Sequence, residues 1–435
     1  MNDMKLHKFS RKSGFAAVVS LLLAVLLLTG CGDSGGGGGG APAPNPGGGN
    51  SGGQTDSTVD PPDANNISWK YVRNGAGTVT LVGYSSSGSA PSGAVSVPSQ
   101  TSDGRSVTAI GDSAFYRTAV TSVSLPTTIK SIGKSAFSEC SKLVDLSFPE
   151  GLEAIDDYAF YHSGVQKVVL PINVKRVGTA AFYNCPSLCA VTVNGTPAFA
   201  EDVNRGVFAG CKNLQTVSLN ANTTKIAAGM FAECQALETL RLPTSLTEIG
   251  AAAFSKCIAL KNISLPQTLN TIGENAFAFC ESLQTVTIPE KVTQLAPYTF
   301  WYCKGLTNVT LPGKLTKIGK CAFAECHSLP GVSIPSTVAS IESGAFSGCL
   351  SLQRMILPEG ISKIEDYTFD RCESLAKIYL PKKVCSIGDY ALATNRTITI
   401  YYGGTLTAWN SIPQSKIGLT SQSKVYCERT ANQMD

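Results

Sequence analysis

Apolar positions recur along most of this chain with a single period. From Lys225 it reads KIAAGMFAECQALETLRLPTSLT, then EIGAAAFSKCIALKNISLPQTLN, then TIGENAFAFCESLQTVTIPEKVT, each 23 residues long. Phenylalanine marks the slot at Phe115, Phe137, Phe160, Phe182, Phe208, Phe231, Phe254, Phe277, Phe300, Phe323, Phe346 and Phe369, and Leu392 takes the thirteenth place. Nine of these spacings are 23, a regularity that only a stack of similar units produces. Within a unit, L-x-x-L-x-L-P, as in Leu237, Leu240, Leu242 and Pro243, puts alternating apolar residues on one face of a short strand, which the proline then ends. The other half, I-G-x-x-A-F-x-x-C, predicts a compact turn or short helix that buries Ile, Ala, Phe and Cys against the next unit. One unit cannot cover its own apolar side, and stacking does so. The predicted fold is an α/β repeat solenoid, like a leucine-rich repeat: a curved rod with a parallel sheet of short strands, about 13 units of 23 residues, on the order of 60 Å long at ~4.8 Å per strand.

The phrase IGxxAFxxCxxLxxIxLP resembles the BspA-like leucine-rich repeat of bacterial surface proteins, over residues 95–404. WKYVRNGAGTVTLVGY (69–84) is similar to that family's N-terminal hairpin, here around Asn74-Gly75, and IYYGGTLTAWNSI (400–412) to its closing segment. These likenesses divide the chain into a capping hairpin at 67–94, a solenoid at 95–404 and a cap or tail at 405–435. Ordinary leucine-rich repeats carry Asn or Cys three residues after the last strand leucine. This chain has proline just after that leucine and its cysteine before the strand, so residue roles do not carry over from the ordinary class. The Phe182 to Phe208 spacing is 26, and the strand proline is lost around Val193-Asn194-Gly195 and again in LNANTTKI. Loops that protrude from repeat arrays often carry binding, but a tolerated insertion explains the 194–224 irregularity more simply.

The amino-terminal end carries targeting signals. Lys5, Lys8, Arg11 and Lys12 precede about fifteen mostly apolar residues, Gly14 to Leu28, the layout of a signal peptide spanning 1–30. The run is short for a membrane span, which needs roughly 20 apolar residues, and nothing comparable follows. Leu28-Thr29-Gly30-Cys31 resembles the bacterial lipobox, which implies acylation of Cys31 and a membrane anchor. Residues 31–66 are then almost all Gly, Pro, Asn, Ser, Asp and Thr, a flexible tether that buries too little apolar surface to offset chain entropy. The string GDSGG around Ser34 copies a serine-protease motif, but it lies in this tether, and the only histidines are His7, His162 and His327. A serine nucleophile needs a base held by a folded scaffold, so Ser34 belongs to the leash.

Ten cysteines share one repeat slot, from Cys140 and Cys185 through Cys211, Cys234, Cys257, Cys280, Cys303, Cys326 and Cys349 to Cys372. Export permits a row of disulfides, but parallel side chains in a packed seam point the same way, which favours buried thiols acting as small apolar fillers. Cys185-x3-Cys189 and Cys321-x4-Cys326 lack the second pair that a zinc site wants. No HExxH, Walker loop or paired-carboxylate signature occurs, so neither an enzyme nor a cofactor is expected. The net charge is +4, of which residues 1–30 supply +3 (four basic, one acidic). The remainder is near neutral and offers no basic excess for nucleic acid.

What remains is surface. The solvent-facing slot between the last two apolar strand residues holds Ser or Thr in eight of twelve units, residues that simply suit strands or that form a hydrogen-bonding face for an extended partner. Near its C-terminal end the face changes to Arg354, Ile356, Lys377 and Tyr379, better anchors than serine. A second candidate lies past the Phe slot, where Phe279, Trp301 and Tyr302 come from neighbouring units and Phe279 and Tyr302 share a column. Such aromatics form a contact patch if exposed and convex-side packing if not. BspA-like proteins are associated with adhesion to host matrix proteins and other bacteria. The resemblance therefore implies a cell-surface lipoprotein that binds an extracellular protein or glycan. A carbohydrate-binding protein and a non-binding structural spacer are the alternatives.

Overall fold

The computed structural model describes residues 57–75, 77–85, 90–413 and 416–434, all within the unit Pro44–Asp435. The expected signal peptide, Cys31, Ser34 and the first part of the expected tether lie outside the described residues. Regular structure begins inside the span expected as tether. β1 (Ser57–Val59) pairs antiparallel with β2 (Trp69–Asn74), and Asp63 Oδ2 accepts the indole N–H of Trp69 at 3.0 Å. The low-complexity composition continues into β1, but its backbone finds partners on β2, so the ordered domain starts ahead of the predicted hairpin.

β2 and β3 (Thr78–Tyr84) form the antiparallel hairpin. β3 then pairs parallel with β5 (Ser106–Ile110), while β4 (Ser92–Ser96) starts a separate ladder by pairing parallel with Ala119–Ser124. From there the chain is a parallel β-solenoid of about 14 turns of ~23 residues with little helix. Most turns contribute to both ladders; the turn at residues 331–334 has no strand in the first, which is interrupted between Thr310 and Arg354. The L-x-L stretch forms one, with Thr285 opposite Asn308 and Thr287 opposite Thr310. The residue pair ending in the Ile of I-G forms the other, with Glu248 opposite Thr271 and Ile249 opposite Ile272. The sequence pattern predicted only the first ladder. Two-residue strands are too short to show alternation, and only the partner turn reveals them. Glycine follows because the turns are close: a Cβ on Gly273 would lie 2.5 Å from the Ala251 nitrogen.

The A-F-x-x-C segment forms a series of turns, and this corrects the helical half of the α/β expectation. Around Phe277, the N–H groups of Ala276, Ala278 and Cys280 donate back three residues, to Gly273, Asn275 and Phe277. Those of Asn275, Phe277 and Phe279 donate to Pro297, Thr299 and Trp301 in the next turn, at 3.1, 2.9 and 2.7 Å. This alternation sets the residues two before and two after Phe277 in the left-handed region, with φ of 57° at Asn275 and 60° at Phe279. Non-glycine residues resist that region; the inter-turn hydrogen bonds hold them there.

The twelve slot phenylalanines stack face to face in one file, with centroids 4.8 to 5.9 Å apart and planes within 15°. Trp69 of the hairpin covers the first ring at 5.7 Å. At the other end, the Leu392 N–H donates to Ile417 at 2.8 Å. There α1 (Leu406–Ser411), N-capped by Thr405, buries Trp409. Asn194 and Asn220 stand where the preceding turn has Pro171, and the extra residues of this region are tied down. Glu201 bridges to Lys225 at 2.7 Å and accepts the Ala228 N–H at 2.7 Å, and Asp202 accepts the N–H groups of Asn204 and Arg205.

Candidate interaction surface

All fourteen cysteines among the described residues are free thiols. The ten in the repeat slot are buried, and each Sγ donates to the slot Phe carbonyl of the preceding turn, as Cys140 to Phe115 at 2.9 Å and Cys280 to Phe254 at 3.2 Å. That carbonyl also accepts a backbone N–H within its own turn, as at Phe254 from Cys257. The thiol therefore takes its second lone pair, which alanine would leave unmet. Burial pushes the Cys257 thiol up to about 12, far from thiolate chemistry. Among the described residues no group of three His, Cys, Asp or Glu side chains is placed to hold a metal ion.

On the outside of the phenylalanine file, side chains two residues past each Phe form a column at the left-handed positions, and neighbours in it are paired. Arg117 donates to Glu139 at 2.6 Å, the His162 ring nitrogen lies 2.8 Å from the Asn184 amide, and Lys256 donates to Glu233 at 2.6 Å. Phe279 and Tyr302 follow, with centroids 4.9 Å apart and planes at 45°, and Lys304 lies 4.2 Å over the Tyr302 ring. Glu325 comes next and bonds Arg371, with His327 Nε2 at 3.0 Å from its other oxygen. The two aromatics share a column as their spacing predicted, tilted instead of parallel. Trp301 does not join them at the surface. It is 2% exposed, wedged between Tyr298 and Phe279 at 5.5 and 4.8 Å. A ring so covered presents no face to a ligand, which corrects the contact patch: Phe279 and Tyr302 are half-buried and Trp301 is core.

The strand face divides similarly. Its middle is open: Asn262, Ser264, Thr285, Thr287, Asn308 and Thr310 are all exposed and uncharged, held in register by parallel pairing. Charges here are displaced to the rim, where Lys261 pairs with Glu238 at 2.8 Å and Lys304 with Glu281 at 3.2 Å. At the C-terminal end, Arg354 faces Lys377 and Ile356 faces Tyr379 in one block. Ile356 is exposed at 39%, but Tyr379 is only 4% exposed. Its hydroxyl donates to Glu359 at 2.7 Å, and burial and that bond push it well above the usual phenol range. The Lys377 ammonium donates to the Met434 carbonyl at 2.6 Å. Tyr379 and Lys377 are therefore already engaged within the chain. The sequence offered no sign of this, because residues 424–434 carry no repeat signature.

Two parallel ladders on a 23-residue period, a buried phenylalanine file and a thiol file define a leucine-rich-repeat solenoid. The chain belongs to the BspA-type leucine-rich repeat family: the model described as "BspA type Leucine rich repeat region (6 copies)" matches residues 108–202, 195–307 and 294–412. Among solved structures the chain is similar to a leucine-rich repeat protein from Bacteroides ovatus ATCC 8483, at 24% identity over 83% of this chain and 98% of that one, TM-score 0.59. It is also similar to one from Eubacterium ventriosum ATCC 27560, at 19% identity over 85% of this chain and 100% of that one, TM-score 0.50. These likenesses show the fold. No curated protein matches the chain.

Proposed function

We propose that this chain is an exported binding module, anchored by lipid at Cys31 and displayed at the bacterial cell surface, that holds an extracellular macromolecule on its repeat surface. Adhesion to host matrix or to other cells is the role that suits it, with a protein as the favoured partner. The supporting observation is the open middle of the strand face, where exposed hydroxyl and amide side chains from Asn262 to Thr310 stand in fixed register on a packed scaffold. Such a face offers many hydrogen bonds with little side-chain entropy to lose. The absence of convergent acid–base motifs in the sequence fits capture better than catalysis. The glycan alternative loses its best platform with Trp301 in the core.

Proteinase shaving of intact cells, followed by crosslinking and identification of the captured species, tests both display and binding. Release of solenoid peptides together with a crosslinked matrix or cell-surface protein is the expected result. Solenoid peptides released with no partner captured would leave a spacer. A glycan array on the purified chain separates sugar from protein.

A further inference from the structure

The geometry points to a hinge in the solenoid, at the boundary between the turn that carries Phe323 and the turn that carries Phe346. About this boundary the C-terminal block swings as one body and opens the strand side. The inference does not depend on the capture reading above.

Both ladders lose their pairing here. In the ladder formed by the L-x-L stretches, Asn308–Thr310 ends one sheet and Arg354–Ile356 begins the next, with residues 331–334 unpaired between them. In the other ladder, Ser340–Ile341 ends one sheet and Lys363–Ile364 begins the next. Gly319, Glu342 and Gly388 donate their N–H groups to Leu295, Ile318 and Ile364 of the preceding turn at 3.0, 3.0 and 2.8 Å, whereas Glu365 makes no such bond to Ile341. Among the described residues, every other interruption within the array is bridged by the opposite ladder. Across the break between Ser218 and Thr239, Ile226 pairs with Ile249; across that between Ile272 and Gln294, Asn262 pairs with Thr285.

The cause lies in two residues. Thr307 and Gln353 each donate a backbone N–H to the preceding turn, to Gln284 at 2.9 Å and to Pro330 at 3.1 Å. Pro330 stands at the same position and has no N–H to give. Gly331 follows, where other turns carry Thr285, Asn308 or Arg354, and the space that a Cβ would fill is open. Val332 and Ile334 are accordingly only half-buried, although their counterparts Val309, Leu311, Met355 and Leu357 are buried.

The turn side of the same boundary is fastened. Phe323 and Phe346 stack at 5.6 Å, and Phe323 and Glu325 donate their N–H groups to Ala345 and Ser347 at 2.9 and 2.7 Å. Cys349 Sγ donates to the Phe323 carbonyl at 3.2 Å, and Glu325 reaches over the boundary to Arg371. Backbone bonding continues as far as the Pro330 carbonyl and stops there. A joint held along its turn edge and released along both ladders opens about the held edge, which is hinge motion, and a segment with so few backbone hydrogen bonds opens at low cost. The swing carries Arg354–Ile356 and all that follows relative to the open face at Asn262–Thr310, so the strand face changes curvature while the phenylalanine file stays stacked.

Hydrogen exchange of the full chain, read by mass spectrometry, tests the hinge. Segments 331–334 and 361–365 are expected to exchange about 100-fold faster than their counterparts 308–311 and 338–342, while 322–326 on the fastened edge stays as protected as 276–280. A variant with Pro330→Lys and Gly331→Asn, the pair found at Lys261 and Asn262, restores the missing N–H and side chain. It is expected to slow exchange about ten-fold in both 331–334 and 361–365, although it does not touch the second segment. Thermal melting checks its folding, and Gly331→Asn alone, which enters open space, carries the test with a smaller slowing of the same two segments if the double variant does not fold. Slowing confined to 331–334 would reduce the feature to one frayed strand and overturn the hinge. So would protection in the parent equal to that of the counterpart segments, or exchange of 322–326 as fast as that of 331–334.

Discussion

Glu325 and Arg371, 46 residues apart, form an ion pair that steps across a complete turn of the solenoid. The intervening turn places Gly348 between them, with φ of +71° and no side chain. Elsewhere in this column Arg117 pairs with Glu139, and Lys256 with Glu233, between adjacent turns. Here a glycine opens the gap that lets two long side chains meet.

A methyl group at Gly348 should therefore be costly. Its Cβ would lie 2.7 Å from the Glu325 carboxyl carbon, in a backbone conformation that L residues avoid. Gly348→Ala is expected to destabilise by about 1–3 kcal/mol in chemical denaturation. The double variant Glu325→Ala, Gly348→Ala should cost less than the two single changes added together. Additive losses would mean that the side chains do not compete for this space.

Asp370, beside Arg371, is 2% exposed, and burial raises its carboxyl to about 6 from 3.8. Between roughly pH 4 and 6 the folded chain thus holds a proton that the unfolded chain releases. This contribution to stability is complete below pH 4 and is lost as pH rises through 6. Asp370→Asn should raise stability at pH 7.5 by about 1–3 kcal/mol and flatten the pH dependence over that window. Parallel profiles for parent and variant would contradict the burial argument.

Thiol chemistry should split the cysteines by location. Cys189, Cys385 and Cys427 are the three among the described fourteen that are not buried. They are expected to react with a thiol reagent in the native protein, and the other eleven only after denaturation without reductant. A denatured count far below fourteen would reveal disulfides and refute the thiol file.

Trp301→Ala should act on stability. Emptying the site between Tyr298 and Phe279 is expected to cost about 3–5 kcal/mol, whereas Thr287→Ala on the open face should change stability by less than ~0.5 kcal/mol. A Trp301→Ala chain that melts normally but loses affinity for a glycan would return the ring to the surface.

Much of the core was legible in the sequence. The Phe and Cys slots lie at a fixed period, so each residue's neighbour is its own counterpart one turn on, and no distant contact is needed to place it. The second ladder was not legible, because two residues such as Glu248 and Ile249 show no alternation. Nor was helix distinguishable from turns in A-F-x-x-C, since both bury the same side chains. The anchors fared least well. Tyr379 alternates correctly for an exposed strand position and Trp301 lies beside a half-buried aromatic pair, yet Tyr379 is buried with its hydroxyl on Glu359 and Trp301 is covered by its neighbours.

By itself the sequence determined the period, the parallel stacking and the buried files, because in a repeat array local pattern and long-range contact are the same information. Only the tertiary structure decided which outward-pointing side chains stay in solvent. That depends on segments outside the repeat, on Gly348 and on the fold-back of residues 427–434, whose contacts arise from where the chain returns in space and leave no period to read.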